Sequence, residues 1–442
     1  MMRNGWIGSA VALMLAASPI AASAQQLPLT EGVSQVRHPE WSKSATIYEV
    51  NIRQYTPEGT FKAFEPHLPR LRKMGVDVLW IMPINPISKK LRKGSLGSYY
   101  AVSDYYAVNP EYGTLADFKH LVDAAHKQGF KVILDWVANH TGWDNVWVEQ
   151  HPDWYLRNAA GELEGYNYTD LSTGKKEVWA DVIGLDYTKP AVRQGMIEAM
   201  SYWVRETNID GFRCDVAWTL PVAFWDDARA KLDAIKPVFL LAEADTPEMH
   251  QRAFDMTYDW TLFHKLVDIG KGRANARDLA RLYTEPKRRY PAGSYRMTFT
   301  SNHDENSWHG TERELYGAGA DAMAVLAATL PGMPLVYSGQ ESAFDRRLKF
   351  FDKDQIDWGS YSRAEFYRRL LALKKKHPAL TNSHEPGNME ILETGNDRVF
   401  AFRRIAGKDK VRVVVNLSAD PVTVRIPAGK PISLKGWGWR ID

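Results

Sequence analysis

The sequence predicts an α/β protein built as a (β/α)8 TIM barrel, with a short excursion after the third strand and a C-terminal antiparallel β domain. Between about residues 45 and 380, short β-branched or apolar runs alternate with amphipathic stretches, which is typical of βα units in a parallel sheet. Residues 141–188 interrupt this alternation, because they are rich in Trp, Tyr, Asn, Asp and Gly and lack sustained periodicity. Near the C-terminus only strand-like runs remain, at 399–404, 411–416 and 422–426.

Eight runs in the repeating part qualify as barrel strands. They span residues 46–50, 76–82, 132–135, 211–215, 238–243, 254–258, 296–300 and 334–338. In a barrel of this kind the functional residues lie at the C-terminal ends of the strands, so those ends are where candidate site residues are sought.

The clearest predicted helices span residues 60–75, 114–129, 190–205 and 364–376. The first two begin at threonines, whose side chains cap helix N-termini, and end at glycines, which adopt the left-handed conformation that closes a helix. The third begins with a proline, which the first helical turn tolerates. The predicted barrel therefore comprises residues 25–140 and 189–380, and the β domain comprises residues 385–442.

The first residues have the layout of a secretory signal peptide. Arg3 precedes an apolar run over residues 6–20, and Ala22-Ser23-Ala24 provides a small-residue cleavage site. The run is shorter than the roughly 20 residues of a membrane-spanning helix. Residues 1–24 are thus expected to be removed after Ala24, which predicts a periplasmic or secreted protein without a membrane anchor.

The composition makes nucleic acid and anionic membranes poor candidates for a partner and gives weak support to a carbohydrate. Cys214 is the single cysteine, so the mature chain cannot form an internal disulfide. The formal net charge is +3, and the longest Lys/Arg cluster is residues 374–376, which makes nucleic acid and anionic membranes poor candidates. Aromatic residues make up 12% of the chain, and their rings could stack on sugars, although a large core would also use them.

Acidic residues mark the ends of four predicted strands, at Asp135, Asp215, Glu243 and Asp304. Any one of them could be a helix cap, but four at corresponding places converge on one mouth of a barrel, where carboxylates repel each other. Such a cluster suits either a carboxylate metal site or glycoside hydrolysis. The sequence has no HExxH-type metal motif. Retaining glycosidases need two carboxyl groups about 5 to 5.5 Å apart, which neighbouring strands ending at Asp215 and Glu243 could supply.

Three basic residues adjoin these acids. Arg213 lies two residues before Asp215, so in a strand it points to the same side and could keep that carboxylate ionised. His140 and His303 are expected to act as neutral donors to sugar hydroxyls. Asp304 is expected to bind hydroxyls of a distorted sugar ring as positive charge develops.

The four acidic segments, in this order, resemble the conserved regions of the alpha-amylase family, glycoside hydrolase family 13, over roughly residues 45–440. The resemblance implies that Asp215 is the nucleophile, Glu243 the acid/base and Asp304 the acid that stabilises the transition state. It also implies the (β/α)8 barrel, with 141–188 as the inserted domain B. Further substrate-binding positions implied by the resemblance are Tyr100, Asp104, Asp135, His140, Arg213 and His303.

The chain departs from the family pattern at two places. Many members have Lys-His shortly after the nucleophile, whereas here Trp218 occupies that region and is expected to contact substrate by stacking. Asn139 matches a calcium-binding position of the family, but Gly184 stands at the usual acidic position. A structural calcium ion is therefore left open, with Asn139 as its candidate ligand, and no other cofactor is implied.

The function predicted from the sequence is retaining hydrolysis of starch-type α-glucans or maltooligosaccharides through a covalent glucosyl-enzyme on Asp215. Two enzymatic alternatives are α-glucan transglycosylation and a cyclomaltodextrinase or neopullulanase type of activity. A third alternative is a non-catalytic glycan-binding protein. The intact acids at all three catalytic positions argue against it. Motif spacing leaves open the oligomeric state, internal or terminal cleavage, and α-1,4 or α-1,6 preference, because specificity depends on loops and aromatic placement.

Overall fold

The protein is described here by a computed structural model. The described residues are 32–169, 175–286, 290–385, 387–426 and 429–442. The expected signal peptide, residues 1–24, lies outside them. Within the described ranges, no helix has the length and apolar character needed to cross a membrane.

Eight parallel strands close into a barrel, which confirms the predicted fold class. In chain order they are Ile47–Val50, Val78–Ile81, Lys131–Trp136, Gly211–Cys214, Phe239–Ala242, Met256–Tyr258, Tyr295–Thr298 and Met333–Tyr337. Each strand pairs with the next, and the last pairs with the first, where Ile47 lies opposite Leu335. Nearly every strand residue is buried, as expected for a parallel sheet covered by helices.

Helices surround the barrel and cover the strands. The α-helices are Ile52–Tyr55, Phe61–Phe64, Leu68–Met74, Leu115–Lys127, Val146–Gln150, Pro190–Thr207, Val222–Asp233, Trp260–Gly270, Ala276–Thr284, Glu312–Tyr316, Ala320–Thr329 and Ala364–Lys376. Thr114 and Asp117 form the capping box that starts one of them, and Gly75, at φ 106°, ends another in the left-handed conformation.

The helix predicted over residues 60–75 is not continuous. It consists of Phe61–Phe64 and Leu68–Met74, joined by a 3-10 turn over Glu65–His67 that contains Pro66. A proline has no N–H and its ring crowds the preceding turn, so it interrupts the helical hydrogen bonds at this point.

The segment after the third barrel strand contains short strands that the sequence did not reveal. His140–Gly142 pairs with Val182–Gly184, and Tyr166–Thr169 pairs with Lys176–Trp179 in an antiparallel hairpin. These strands have three or four residues, and those of the hairpin are half-buried or exposed, so they show no usable alternation of apolar and polar residues.

The C-terminal part is an antiparallel sheet, as predicted, with more strands than the sequence indicated. One sheet has the order Met389–Ile391, Val399–Ala406, Asp409–Asn416 and Trp439–Ile441, and Val422–Val424 pairs with Ile432–Leu434. Phe400 and Phe402 pack into the same core as the barrel helices. The guanidinium of the buried Arg404 donates to the carbonyl oxygens of Thr329 and Thr381, both at 3.1 Å, which joins the sheet to the barrel.

Candidate active site

Two of the candidate acids directly follow neighbouring barrel strands. Asp215 comes one residue after the fourth strand, and Glu243 comes one residue after the fifth. The hydrogen-bond ladder of the sheet continues through both, because Asp215 N–H donates to the carbonyl of Trp136 (2.9 Å) and Glu243 N–H to that of Cys214 (3.0 Å). The sheet therefore fixes the backbone from which each carboxyl group projects.

The buried guanidinium of Arg213 contacts three carboxyl groups. Its Nη1 donates hydrogen bonds of 2.9 Å to Oδ1 of Asp135 and to Oδ1 of Asp215. Its Nη2 lies 2.9 Å from Oε2 of Glu243 but is not aligned for a hydrogen bond. Its Nε donates to the hydroxyl of Tyr258 at 3.0 Å. Because one planar cation contacts both Asp215 and Glu243, the two carboxyl groups lie close together.

Electrostatics couples the protonation of these two acids. Burial and the neighbouring Glu243 carboxyl raise the pKa of Asp215 well above its usual range, against the lowering effect of Arg213. Because two carboxyl groups that contact the same guanidinium disfavour each other's charged form, the pair suits a division of roles between a base and a proton donor.

Asp135 lies beneath the pair and not on the surface of the cleft. Its side chain is fully buried, and its Oδ2 accepts 3.0 Å hydrogen bonds from Trp80 Nε1 and from the hydroxyl of Tyr100. The other oxygen accepts from Arg213. The predicted substrate-binding residues Asp135 and Arg213 thus have protein partners and no exposed surface, so we assign them to holding Tyr100 and the acid pair in place.

His303 is held between two carboxylates. Its Nδ1 lies 2.5 Å from Oε1 of Glu49, and its Nε2 lies 2.7 Å from the hydroxyl of Tyr100 and 3.3 Å from Oδ2 of Asp304. Burial alone would lower the pKa of His303, but Asp304 and Glu49 outweigh burial and raise the pKa to about 9. The neutral donor expected from the sequence is therefore replaced by an imidazolium. Asp304, with a side chain that is 35% exposed, is the most accessible of the four acids.

His140 lies in a different environment. It follows the third barrel strand, and its ring packs against Trp179 and Tyr166 of the hairpin, at 5.5 and 6.0 Å between ring centroids. Burial lowers its pKa to about 4. His140 is thus neutral over the physiological range, as expected from the sequence, and can donate or accept a hydrogen bond to a sugar hydroxyl.

Trp218 forms an exposed aromatic surface in the turn that follows Asp215. Its side chain is 43% exposed, and its ring lies 6.1 Å from that of Tyr168, which packs against Trp179 at 5.1 Å. Two residues before Trp218, the N–H of Val216 donates a 2.7 Å hydrogen bond to Oε2 of Glu243. The turn that carries Trp218 is therefore hydrogen-bonded to the candidate acid/base.

The structure does not join Asp104 to the acid cluster. Its Oδ1 accepts a 2.8 Å hydrogen bond from the N–H of Tyr106, and its carbonyl oxygen accepts one of 3.2 Å from Asn85. The side chain thus stabilises the turn that follows Tyr100, which would affect a sugar site indirectly.

Three residues of this network were missed by the sequence analysis. Glu49 pairs with His303, Trp80 binds Asp135, and Tyr258 binds Arg213. Only Glu49 carried a signal, since it is a charged residue inside a fully buried strand. Buried charges require partners, so it could have been marked as part of a site.

The place expected for calcium is filled by protein groups. Oδ1 of Asn139 lies 3.0 Å from Oγ1 of Thr219, and its Nδ2 lies 3.2 Å from Nδ1 of His140. A Cβ atom at Gly184 would lie 2.8 Å from the Tyr166 ring. In the part of the chain that the structure describes, no group of three or more His, Cys, Asp and Glu could hold a metal ion. Asn139 thus has protein partners, and position 184 supplies no carboxylate that could bind an ion beside it.

Comparison with known proteins agrees with the barrel fold. The family model described as the catalytic domain of alpha-amylase matches residues 39–362. A crystal structure of a noncanonic maltogenic alpha-amylase, AmyB, from Thermotoga neapolitana superposes with a TM-score of 0.76 at 30% sequence identity. The match covers 90% of this chain and 96% of that one.

Two curated relatives are longer than this chain. Alpha-amylase MalA of Haloarcula japonica is 28% identical over 412 residues, which are 88% of this chain and 58% of that protein. Alpha-1,4-glucan:maltose-1-phosphate maltosyltransferase 2 of Streptomyces coelicolor is 27% identical over 404 residues, 83% of this chain and 57% of that protein. This chain thus spans less than two thirds of either relative. Since the family model matches most of the chain, the chain belongs to the alpha-amylase family, glycoside hydrolase family 13, which contains hydrolases and transferases of α-glucans.

Proposed function

We propose that the protein hydrolyses α-glucosidic bonds of starch-type glucans or maltooligosaccharides with retention of configuration. The observation that carries the proposal is the contact of one guanidinium, that of Arg213, with both Asp215 and Glu243, each at 2.9 Å. Retention requires two carboxyl groups close enough to act on one anomeric carbon. The relatives named as alpha-amylases support the choice of an α-glucan.

In the first step Asp215 acts as the nucleophile. Arg213 hydrogen-bonds to Oδ1 of Asp215, and this aligned bond favours the ionised form of that carboxyl group. Oδ2 attacks the anomeric carbon, and the bond from that carbon to the glycosidic oxygen breaks. Glu243 gives its proton to the departing oxygen, which leaves as a sugar hydroxyl.

The second step restores the enzyme. Glu243, now ionised, takes a proton from water, whose oxygen attacks the anomeric carbon and displaces Asp215. Both attacks invert configuration, so the product has the α configuration of the substrate. The accessible carboxylate of Asp304 is placed to bind hydroxyls of the same sugar, and its interaction strengthens as the ring flattens and gains positive charge, while the buried His303 contacts Asp304 and holds it in place.

The test is to trap the covalent intermediate. A 5-fluoro-α-glucosyl fluoride should accumulate as a glycosyl-enzyme, and peptide mass spectrometry should find the added sugar on Asp215. Asp215→Asn should give no label, whereas Asp304→Asn, which keeps the nucleophile, should be labelled more slowly and at the same residue. A label on another residue, or release of a β-product seen by NMR during the first turnovers, would overturn the proposal.

Transfer to a sugar acceptor is a second candidate activity. The resemblance to a maltosyltransferase and the exposed ring of Trp218 beside Glu243 favour it, because an acceptor sugar must reach the acid/base in place of water. Chromatography of products at high maltotriose concentration separates the two activities. Products longer than maltotriose indicate transfer, and only shorter products indicate hydrolysis.

A further inference from the structure

Three aromatic side chains continue the site outwards from Tyr100. The ring of Phe350 stacks on that of Tyr100, with 6.2 Å between centroids and 15° between planes. Trp308 packs on Phe350 at 5.3 Å and on Phe351 at 5.7 Å. Trp308 is 49% exposed, so this set of rings runs from the buried site to the surface. We call Trp308, Phe350 and Phe351 the Trp308 platform.

The backbone that carries Trp308 is braced. Trp308 lies in a π-helix, Glu305–His309, that starts directly after Asp304. Nη2 of Arg347 donates to the carbonyl of His309 at 3.1 Å, and Nη1 donates to that of Trp308 at 3.4 Å. A large apolar ring that is half exposed on a braced backbone adds little to the core, and π-helical turns are frequent at functional sites.

The second loop of the platform is tied to the first. The side chain of Asn306 accepts a 2.9 Å hydrogen bond from the N–H of Leu348, and its Nδ2 donates to the carbonyl of Arg346 at 3.2 Å. The loop that carries Phe350 and Phe351 is therefore held against the π-helix, and the three rings keep a fixed arrangement before any ligand binds.

A basic side chain borders the platform. The ammonium of Lys93 lies 5.8 Å from the centre of the Phe351 ring and 2.6 Å from Asp181. The N–H of Leu96 donates to the carbonyl of Phe351 at 2.9 Å, which fixes this loop against the platform. Aromatic faces beside a polar donor provide both contacts that a glucosyl unit makes, stacking of its C–H face and hydrogen bonding of its hydroxyls.

The position of the platform defines which part of a glucan it meets. Glu243 and Trp218 lie on the side of the leaving group, because Glu243 protonates the departing oxygen. Phe350 instead contacts Tyr100 and His303, where the attacked sugar would lie. The platform is thus on the opposite, donor side of the bond that is cleaved.

We propose that Trp308, with Phe350 and Phe351, forms a donor-side subsite that stacks on the glucosyl units preceding the one attacked by Asp215. This inference rests on the proposed function, since the donor side is defined by the roles of Asp215 and Glu243. It makes the length of glucan on the donor side a determinant of turnover.

Aryl α-glycosides with one, two or three glucosyl units test the subsite, because the p-nitrophenyl leaving group keeps the acceptor side constant. In Trp308→Ala, kcat/KM for the maltotrioside should fall about tenfold, from loss of one aromatic stacking contact, while kcat/KM for the glucoside should change less than about twofold. Trp308→Phe should retain most of the activity. Trp218→Ala should affect all three substrates by the same factor.

A binding experiment separates failure of the subsite from failure of the proposed function. In an Asp215→Asn background, calorimetry with maltotetraose should show about tenfold weaker binding after Trp308→Ala, whether or not the wild type turns over. Ile235→Ala is the matched control, since Ile235 is also an exposed apolar residue but precedes the fifth strand at the opposite end of the barrel. Equal loss on all three glycosides, or unchanged maltotetraose binding, would overturn the subsite.

Discussion

The backbone N–H of Val216 donates a 2.7 Å hydrogen bond to Oε2 of Glu243. Val216 adopts φ 36° and ψ 43°, a left-handed conformation that costs a β-branched residue about 1–2 kcal/mol. The turn is held by Thr219, whose N–H and Oγ1 both donate to the Val216 carbonyl, at 2.9 and 2.8 Å. The strained residue is therefore the one whose N–H orients the proposed acid/base. Backbone strain of this kind occurs mainly at functional sites.

Replacing Val216 by glycine should increase the stability of the protein and decrease its activity. Val216→Gly should raise the free energy of unfolding by about 1 kcal/mol, because glycine adopts the left-handed conformation without a Cβ clash. It should lower kcat, since a freer backbone holds Glu243 less firmly. Chemical denaturation and steady-state kinetics measure the two effects. Val216→Ala keeps a Cβ at the strained position and is the control; if kcat is equal in the glycine variant and the wild type, the strain does not serve catalysis.

Replacing Glu49 should change the pH profile through His303. The pKa of His303 is about 9 in the folded protein, so its charge is present at neutral pH and is lost as the pH rises through that value. In Glu49→Gln the neighbouring carboxylate is removed, and the alkaline limb of kcat/KM, which reports the free enzyme, should move to lower pH.

Stability of the Glu49 variants provides a second measurement. Glu49→Ala should lower the free energy of unfolding by about 3 kcal/mol, because it removes one of the two carboxylates that contact a buried imidazolium. Glu49→Gln keeps the shape and a hydrogen-bond acceptor, and should cost less. An unmoved alkaline limb in Glu49→Gln would show that His303 does not titrate in the active enzyme.

His140 should make the protein less stable in acid. Its pKa is about 4 in the folded protein, against about 6.5 when unfolded, so between these values the unfolded state binds a proton that the folded state does not. Stability is therefore lost as the pH falls through this window. From pH 7 to pH 5 the loss due to His140 is about 2 kcal/mol. Urea unfolding of His140→Gln should show a correspondingly smaller fall over the same range, and parallel curves for the two proteins would contradict the assignment.

Removal of metal should leave the fold around Asn139 intact. Thr219 and His140 already contact the Asn139 side chain, and Gly184 contributes no carboxylate. Treatment with EDTA should therefore leave activity and the thermal unfolding midpoint unchanged. The chelated protein with calcium restored is the control. Activity that falls with EDTA and returns with calcium would show that an ion binds in this protein.

The order of chemical groups along the chain was readable from the sequence. Alternating apolar and amphipathic runs predicted the eight strands, and the acids after the fourth and fifth strands were placed correctly, because a closed parallel barrel brings successive strand ends to one mouth. Thr114 and Asp117 predicted a helix start because capping is a local interaction. These features depend on neighbours in sequence or on a repeated topology.

Contacts between distant segments were decided only by the tertiary structure. Glu49 and His303 are 254 residues apart, and no periodicity links them, yet their contact determines whether the imidazole is charged. Trp308 and Phe350 form a platform because two loops are hydrogen-bonded together, and Asp104 stays out of the acid cluster because it caps a turn. The sequence by itself determined which reactive groups the barrel presents, whereas their charge states and the aromatic surfaces beside them arise from long-range packing, burial and loop geometry.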